Sequence, residues 1–428
     1  MRKTLLVIVA VLVLGGLAVL SGAFRGNHIA VAAFEPLSAE EMAVLAPRGR
    51  ELAFAGDCLG CHSPMQGPIA VGGVPFDTPF GTLYSPNITP DPTYGIGEYT
   101  RADFHRVIRD GIARGGHNLY PAMPFVFTQI TTDDDIDAIY AYMMSLEPIA
   151  QDVPANTGVF AFPLRPFMNF WTLLNFPRRT APEDPDRTEA WNRGAYLVEG
   201  LGHCGACHTP MNFMMGTDFA RALEGAVIEG LEAPSLQATA LAAHGFDVPG
   251  LTEFLASGIG PQGTTFGGMY TVTHFSTGSM QRDDLTAIAT YLLTLPDGTL
   301  PEPSPPPAPL PEATDPALGV TAGEALYLSA CASCHGDTGA GIPDVAPAMR
   351  GNATLALENP LNLLTVMLNG IPTEEFPRGK RMYAMPPFAH VLSDADIAQL
   401  ATWLRAQWGG IADPVQEAAV TEIPRTRN

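Results

Sequence analysis

Cys58-Leu59-Gly60-Cys61-His62, Cys204-Gly205-Ala206-Cys207-His208 and Cys331-Ala332-Ser333-Cys334-His335 decide the reading of this chain, and together they use all 6 of its cysteines. Cys-x-x-Cys-His is the pattern of c-type haem attachment, so the sequence predicts three covalently bound haem c groups. The spacing follows from helical geometry. Residues three apart share a face, so the thiol pairs Cys58/Cys61, Cys204/Cys207 and Cys331/Cys334 can each reach two vinyl groups of one porphyrin. The histidine that follows lies beside the first cysteine and supplies a proximal iron ligand: His62, His208 and His335. A single Cys-x-x-Cys could be a redox disulfide or half a zinc site. Three copies, each with His next in line and no cysteine left over, point to haem.

Outward from the motifs, 428 residues are long for one domain and fit about three. The N-terminus reads Met1-Arg2-Lys3 and then an uncharged, mostly apolar run from Thr4 to Phe24. That run is long enough to span a bilayer. Residues 1–25 are therefore expected to be a transmembrane anchor or a signal peptide, with Ser21-Gly22-Ala23 as the cleavage site in the second case. Length favours the anchor. Arg2 and Lys3 keep the N-terminus in the cytoplasm, so the domains are expected on the periplasmic side of the inner membrane. With 44 acidic against 23 basic residues the net charge is −21. That balance argues against a nucleic-acid partner. The basic side chains are nearly all Arg, with Lys3 and Lys380 the two lysines; docking is expected to offer an acidic face to a basic partner or to rely on apolar contact, unless the acidity serves solubility alone.

One unit is written three times. Ahead of each motif stands Gly-x-x-Leu: Gly49 to Leu52, Gly194 to Leu197, Gly323 to Leu326. After it come a Gly/Pro-rich loop, a Met in a loop, and an amphipathic helix. The closing helices carry apolar stripes at offsets 0, 3, 4 and 7, starting at Ile136, Leu285 and Ile397. An aromatic lies six residues into each: Tyr142, Tyr291 and Trp403. Thr132-x-x-Asp135 and Ser393-x-x-Asp396 read as capping-box starts. This order resembles the class I cytochrome c domain. The resemblance implies that the first and last helices of each unit cross at Gly49, Gly194 and Gly323, where the aromatic approaches.

The expected architecture is all-α: three tandem class I cytochrome c domains after the N-terminal segment. The boundaries are 40–150, 187–297 and 318–410. An aromatic-rich strap (151–186) joins the first two domains. A Pro-rich linker (298–317) containing Pro301-Glu302-Pro303-Ser304-Pro305-Pro306-Pro307 sets off the third as a semi-rigid spacer. Residues 411–428 read as a loose tail.

Each iron needs a sixth ligand unless its site is open for chemistry, and a Met thioether suits an electron carrier. Met123, in Tyr120-Pro121-Ala122-Met123-Pro124-Phe125, and Met385, in Tyr383-Ala384-Met385-Pro386-Pro387-Phe388, are the expected ligands in the first and third domains. The second offers Met269 and Met280. Met269 follows His208 by the same interval that separates Met123 from His62, whereas Met280 sits hard against the closing helix, so Met269 is preferred. Of the histidines outside the motifs, His117 and His274 are the alternatives to consider.

Two longer stretches, Thr78-Pro79-Phe80-Gly81-Thr82-Leu83-Tyr84-Ser85-Pro86-Asn87-Ile88-Thr89-Pro90-Asp91 and the run from Trp191 to Cys204, make residues 45 to 410 resemble the triple-haem cytochrome c subunits of periplasmic, membrane-bound dehydrogenases. That resemblance implies a relay of electrons from a catalytic subunit of quinoprotein, flavin or molybdenum type to ubiquinone or another respiratory acceptor such as a terminal oxidase. The N-terminal anchor leans toward the molybdenum type. Met211 stands where the family has Arg, and Gly230-Leu231-Glu232-Ala233-Pro234 lacks an aromatic pair, so partner contacts do not carry over directly. The aromatic run Phe160 to Phe176 reads either as a strap packed between domains or as a docking surface for the catalytic subunit, the membrane or a quinone. No catalytic residue is expected in the chain itself. The competing functions are a haem enzyme (a peroxidase or sulfur-compound oxidoreductase), which needs an iron without its Met, and a free periplasmic electron shuttle.

Overall fold

The computed structural model describes residues 34–161, 165–306 and 321–425, together with Gly16. The expected anchor or signal segment, most of the Pro-rich spacer and Phe162 to Leu164 of the aromatic run lie outside the described residues. Among the described residues no helix is long and apolar enough to cross a membrane. Contacts divide the chain into two compact units: Met1–Asp184 with Ala195–Ala206 and Met211–Asp218, and Pro185–Gly194 with Cys207–Pro210 and Phe219–Asn428.

Three helix pairs carry the repeat. Ala39–Ala55 packs on Asp133–Ser145, Glu189–Tyr196 meets Arg282–Leu293, and Ala322–Ala330 packs on Asp394–Leu404. Each pair crosses at the expected glycine. A methyl placed on Gly49 would lie 2.9 Å from Cβ of Tyr142, on Gly194 2.7 Å from Cβ of Tyr291, and on Gly323 2.5 Å from Cβ of Trp403. Backbone carbonyls of Ala138, Ala287 and Gln399 close the same space. Only hydrogen fits there without overpacking, which costs roughly 1–3 kcal/mol. The faces that meet are the predicted stripes: Ile136, Leu285 and Ile397 are all buried.

The helix starts follow their caps. Ser38 with Glu41, Thr100 with Asp103, and Ser393 with Asp396 form complete capping boxes. Thr132 forms half of one: its hydroxyl accepts from the Asp135 amide. The Asp135 carboxylate turns inward instead, pairing with Arg48 and accepting from the Tyr196 hydroxyl at 2.7 Å. That hydroxyl also accepts from the Thr132 amide at 3.2 Å. Burial and Asp135 together push the phenol up to about 12, so Tyr196 stays a donor.

Between attachment motif and closing helix each repeat adds a middle helix: Arg101–Asp110, Val248–Ser257 and Leu361–Asn369. All three end at a Gly-Ile pair, with Gly111, Gly258 and Gly370 at φ 64°, 72° and 73°. The isoleucine then pairs across the chain: Ile112 with Asn118, Ile259 with Thr264, and Ile371 with Met385.

Strands correct the all-α expectation. Among the described residues there are four two-stranded antiparallel hairpins: Pro75–Thr78 with Gly81–Tyr84, Ala226–Ile228 with Leu231–Ala233, Ile259–Gly260 with Gly263–Thr264, and Glu374–Phe376 with Lys380–Met382. They occupy the stretches read as Gly/Pro-rich loop, where a glycine-bearing turn lets two short segments satisfy each other's backbone groups.

The third repeat shares one compact unit with most of the second. The side chain of Asn362 accepts from the Glu232 amide at 2.7 Å and donates to the Glu232 carbonyl at 2.8 Å, as a neighbouring strand would. The Tyr270 hydroxyl likewise donates to and accepts from the Glu375 backbone, both at 3.1 Å. The tail is not loose through residue 425. Val415, Val420 and Ile423 are buried in the third repeat's core, and Arg425 pairs with Asp394. Three apolar side chains are enough to pin a segment that looked like a polar terminus.

Candidate haem-attachment sites

The attachment turns are short helices: Cys58–His62, Gly205–His208 and Ala332–His335. Burial and the neighbouring Asp57 push the Cys58 thiol up to about 12, and burial with Cys334 pushes Cys331 up to about 11. Among the described residues no group of three or more His, Cys, Asp or Glu is placed to hold a metal ion.

Around each motif histidine the chain builds the same cradle. Nδ1 of His62 donates to the Pro86 carbonyl at 2.8 Å, that of His208 to Pro234 at 2.6 Å, and that of His335 to Pro347 at 2.9 Å. A carbonyl can only accept, so Nδ1 carries the proton and Nε2 presents its lone pair. Burial lowers all three imidazole pKa values against the opposing pull of those carbonyls, which favours the neutral, ligating form. This is the outer hydrogen bond that an iron- or zinc-bound histidine makes with its other ring nitrogen.

Backbone completes the cradle. The histidine carbonyls accept from Gly72, Gly225 and Gly341 at 2.8, 2.9 and 2.8 Å, and all three glycines are left-handed, at φ 70°, 91° and 71°. A methyl on Gly225 or Gly341 would strike the Pro234 or Pro347 segment, and one on Gly72 the backbone of Pro86 and Asn87. Two residues earlier, Ala70, Leu223 and Gly339 are also left-handed, at φ 64°, 61° and 69°. Their carbonyls accept from Ile88, Leu236 and Met349, each two residues beyond the cradle proline. In the first two repeats the residue after the histidine locks the turn from inside: Ser63 accepts from Ala70 at 2.9 Å and Thr209 from Leu223 at 3.0 Å. Ordinary residues at positive φ cost of order 1–3 kcal/mol, strain kept where surroundings require it. The residues present fit a haem: two thiols on one turn and an imidazole fixed in tautomer and orientation. Bound haem supplies one-electron redox chemistry. The chain's own part is to hold Nδ1–H fixed on a backbone carbonyl and to leave the Nε2 lone pair unprotonated for the iron.

The methionines are placed less uniformly. Met123 lies half-buried in its loop, with its amide donating to Tyr120 at 3.0 Å. Met385 packs against the third repeat's core, which includes Cys331, and its amide donates to Ile371 at 2.9 Å. Met269, expected in a loop, is the second residue of the helix Gly268–Phe275. It stands five residues after Thr264, the partner of Ile259, as Met123 stands five after Asn118, the partner of Ile112. Met280 follows the short turn Thr277–Ser279 just ahead of the closing helix. His117 is exposed at the surface, its pKa lowered by desolvation and by Arg165, and His274 packs edge-on to Phe275 at 4.7 Å.

Known proteins are similar to this chain in sequence. The cytochrome c family model matches residues 46–147, and that of cytochrome c oxidase, cbb3-type, subunit III matches residues 319–404. The cytochrome c subunit of the quinone-type alcohol dehydrogenase of Gluconacetobacter polyoxogenes is 37% identical over 89% of this chain and 84% of its own length. The chain belongs to the cytochrome c subunits of dehydrogenases. Such domains imply covalently bound haem c. The gluconate 2-dehydrogenase cytochrome c subunit of Pantoea cypripedii is 34% identical over 85% of the chain and 86% of its own length. A nicotinate dehydrogenase subunit of Pseudomonas putida is 40% identical over 86% of the chain, which spans 31% of that protein's length.

The cradle prolines and glycines were not singled out as site residues in the sequence. The usable signal was Pro-x-aliphatic, in Pro86-x-Ile88, Pro234-x-Leu236 and Pro347-x-Met349, but it falls at a different distance from each histidine.

Proposed function

We propose that this chain carries three haem c groups and relays electrons from the catalytic subunit of a dehydrogenase to ubiquinone or another respiratory acceptor at the periplasmic face of the inner membrane. His62 with Met123, His208 with Met269 and His335 with Met385 are the axial pairs in this reading. The observation that carries it is the cradle, built three times around three imidazoles with the same donor and acceptor roles. Closed, six-coordinate irons suit transfer of electrons rather than substrate chemistry.

The names of the relatives, which include alcohol, gluconate and nicotinate dehydrogenases, support a catalytic partner that oxidises a small organic substrate. The identity to the nicotinate dehydrogenase protein favours a partner of the molybdenum, N-heterocycle type. The test is co-purification from gently solubilised membranes, followed by titration of the Met–iron near-infrared absorption per haem. A large subunit with molybdenum and a Met–iron signal for every haem is expected. A high-spin haem with peroxide turnover would overturn the relay in favour of a haem enzyme.

A further inference from the structure

The first two attachment segments, Gly56-Asp57-Cys58 and Gly202-His203-Cys204, run against one another. Gly56 caps the helix Ala39–Ala55, and Gly202 caps the turn Leu197–Leu201. Each glycine stands two residues ahead of its first cysteine, and the residue between is left-handed, Asp57 at φ 47° and His203 at φ 35°. Nε2 of His203 lies 3.2 Å from the carbonyl oxygen of Gly56. Because that oxygen can only accept, Nε2 carries the proton. The Leu201 side chain reaches the same glycine, to 3.0 Å from where a Cβ would stand, and a Cβ on Gly202 would lie 3.5 Å from the Ala55 carbonyl.

The contact is specific to this pair. In the third repeat the residue before the first cysteine is Ala330, whose methyl has nothing to donate, and it ends a regular helix. A non-glycine residue at positive φ is normally strained. The helix that leads to His203 is itself distorted: its last turn is wound as a π-helix, with Gly200 at φ −117° and ψ −105°, where an added Cβ would lie 2.7 Å from the Ile130 side chain. This local distortion aims the imidazole at Gly56.

We propose that His203 is a positioning residue that latches the first two attachment segments together, so that the haems on Cys58 and Cys204 are direct redox partners. Consecutive Cα atoms are about 3.8 Å apart, so two steps from Gly56, the hydrogen bond, the imidazole and one step from His203 put Cys58 and Cys204 within roughly 20 Å. The transfer is of one electron: one iron goes from ferrous to ferric as the other goes from ferric to ferrous, and no proton or co-reactant is needed. The inference rests on the haem reading above and gives it an order, with the first and second haems adjacent in the relay.

The test uses the full-length, haem-loaded protein and the variants His203→Leu and His203→Gln. Electron redistribution after flash photoreduction is followed by transient absorption, and magnetic coupling between ferric haems by EPR relaxation. Losing one hydrogen bond is expected to slow redistribution in H203L by up to about tenfold and to weaken the coupling, through a smaller latched population. H203Q, which can still donate to Gly56, is expected to recover most of both. Midpoint potentials and Met–iron bands are expected to stay at wild-type values, which a general loosening of the fold would not allow. Wild-type coupling and redistribution in H203L would overturn the inference. If H203L does not fold, removing the first haem by Cys58→Ala/Cys61→Ala decides: an unchanged relaxation of the second haem's signal overturns it. Peptides of the first or second motif lacking haem mass in the wild-type protein would instead overturn the haem reading beneath.

Discussion

Gly72 donates its amide to the carbonyl of His62 at 2.8 Å from a left-handed backbone at φ 70°, and the chain repeats that relationship at Gly225 with His208 and Gly341 with His335. Insertions of different length separate the partners, so the three cradles agree in three dimensions where the sequence between them does not.

Replacing Gly341 by Ala adds a methyl 2.6 Å from the Ala348 amide at a backbone angle that only glycine adopts freely. The expected cost is about 1–3 kcal/mol, with slower haem incorporation at the third motif. Thermal unfolding and the haem mass on the Cys331–His335 peptide check it.

Ala70 offers the opposite test. It is fully buried and left-handed at the position where the third repeat has Gly339. Ala70→Gly is expected to relieve that strain and leave stability unchanged or raised by up to about 1 kcal/mol, against the usual penalty for introducing glycine. A fall of Tm in this variant would show that the alanine methyl matters more than its backbone angle.

At the helix crossing of the second repeat, Gly194→Ala would force its methyl into the Ala287 carbonyl and Cβ of Tyr291. The helices must part, and a loss of roughly 2–4 kcal/mol is expected in a denaturant titration.

Stability is also expected to fall with rising pH through one carboxyl. Burial pushes Glu374, opposite Met382 in its hairpin, up to about 8 from an ordinary 4.5. The folded state therefore holds this proton over a range in which the unfolded chain has lost it. Its contribution is fully present below about pH 4.5 and is lost as pH rises through 8. Glu374→Gln is expected to flatten that decline by about 1–3 kcal/mol between pH 5 and 9, measured by unfolding at each pH.

Much of this was legible in the sequence because local chemistry dictated it. The attachment turns, the closing stripes and the Ser393 cap are patterns over a few residues, whereas the glycine crossings were implied by the resemblance to the class I cytochrome c domain. The cradle was not legible, since it joins His62 to Pro86 but His335 to Pro347, and no fixed spacing reports a carbonyl that accepts from an imidazole. The Gly-Ile ends of the middle helices were present as text, at 111–112, 258–259 and 370–371, but their meaning lies in the bridge each isoleucine makes. The hairpins failed for a related reason: strands of two to four residues are too short to show a period. The buried tail failed because three apolar residues among polar ones look like a terminus until a core is there to receive them.

The central claim is that all three cradles hold haem. Intact mass of the full-length protein, with a pyridine haemochrome assay on the same sample, tests it most directly. Three haem masses per chain are expected, one on each Cys-x-x-Cys-His peptide. A chain with two or fewer, expressed with full haem supply, would contradict it.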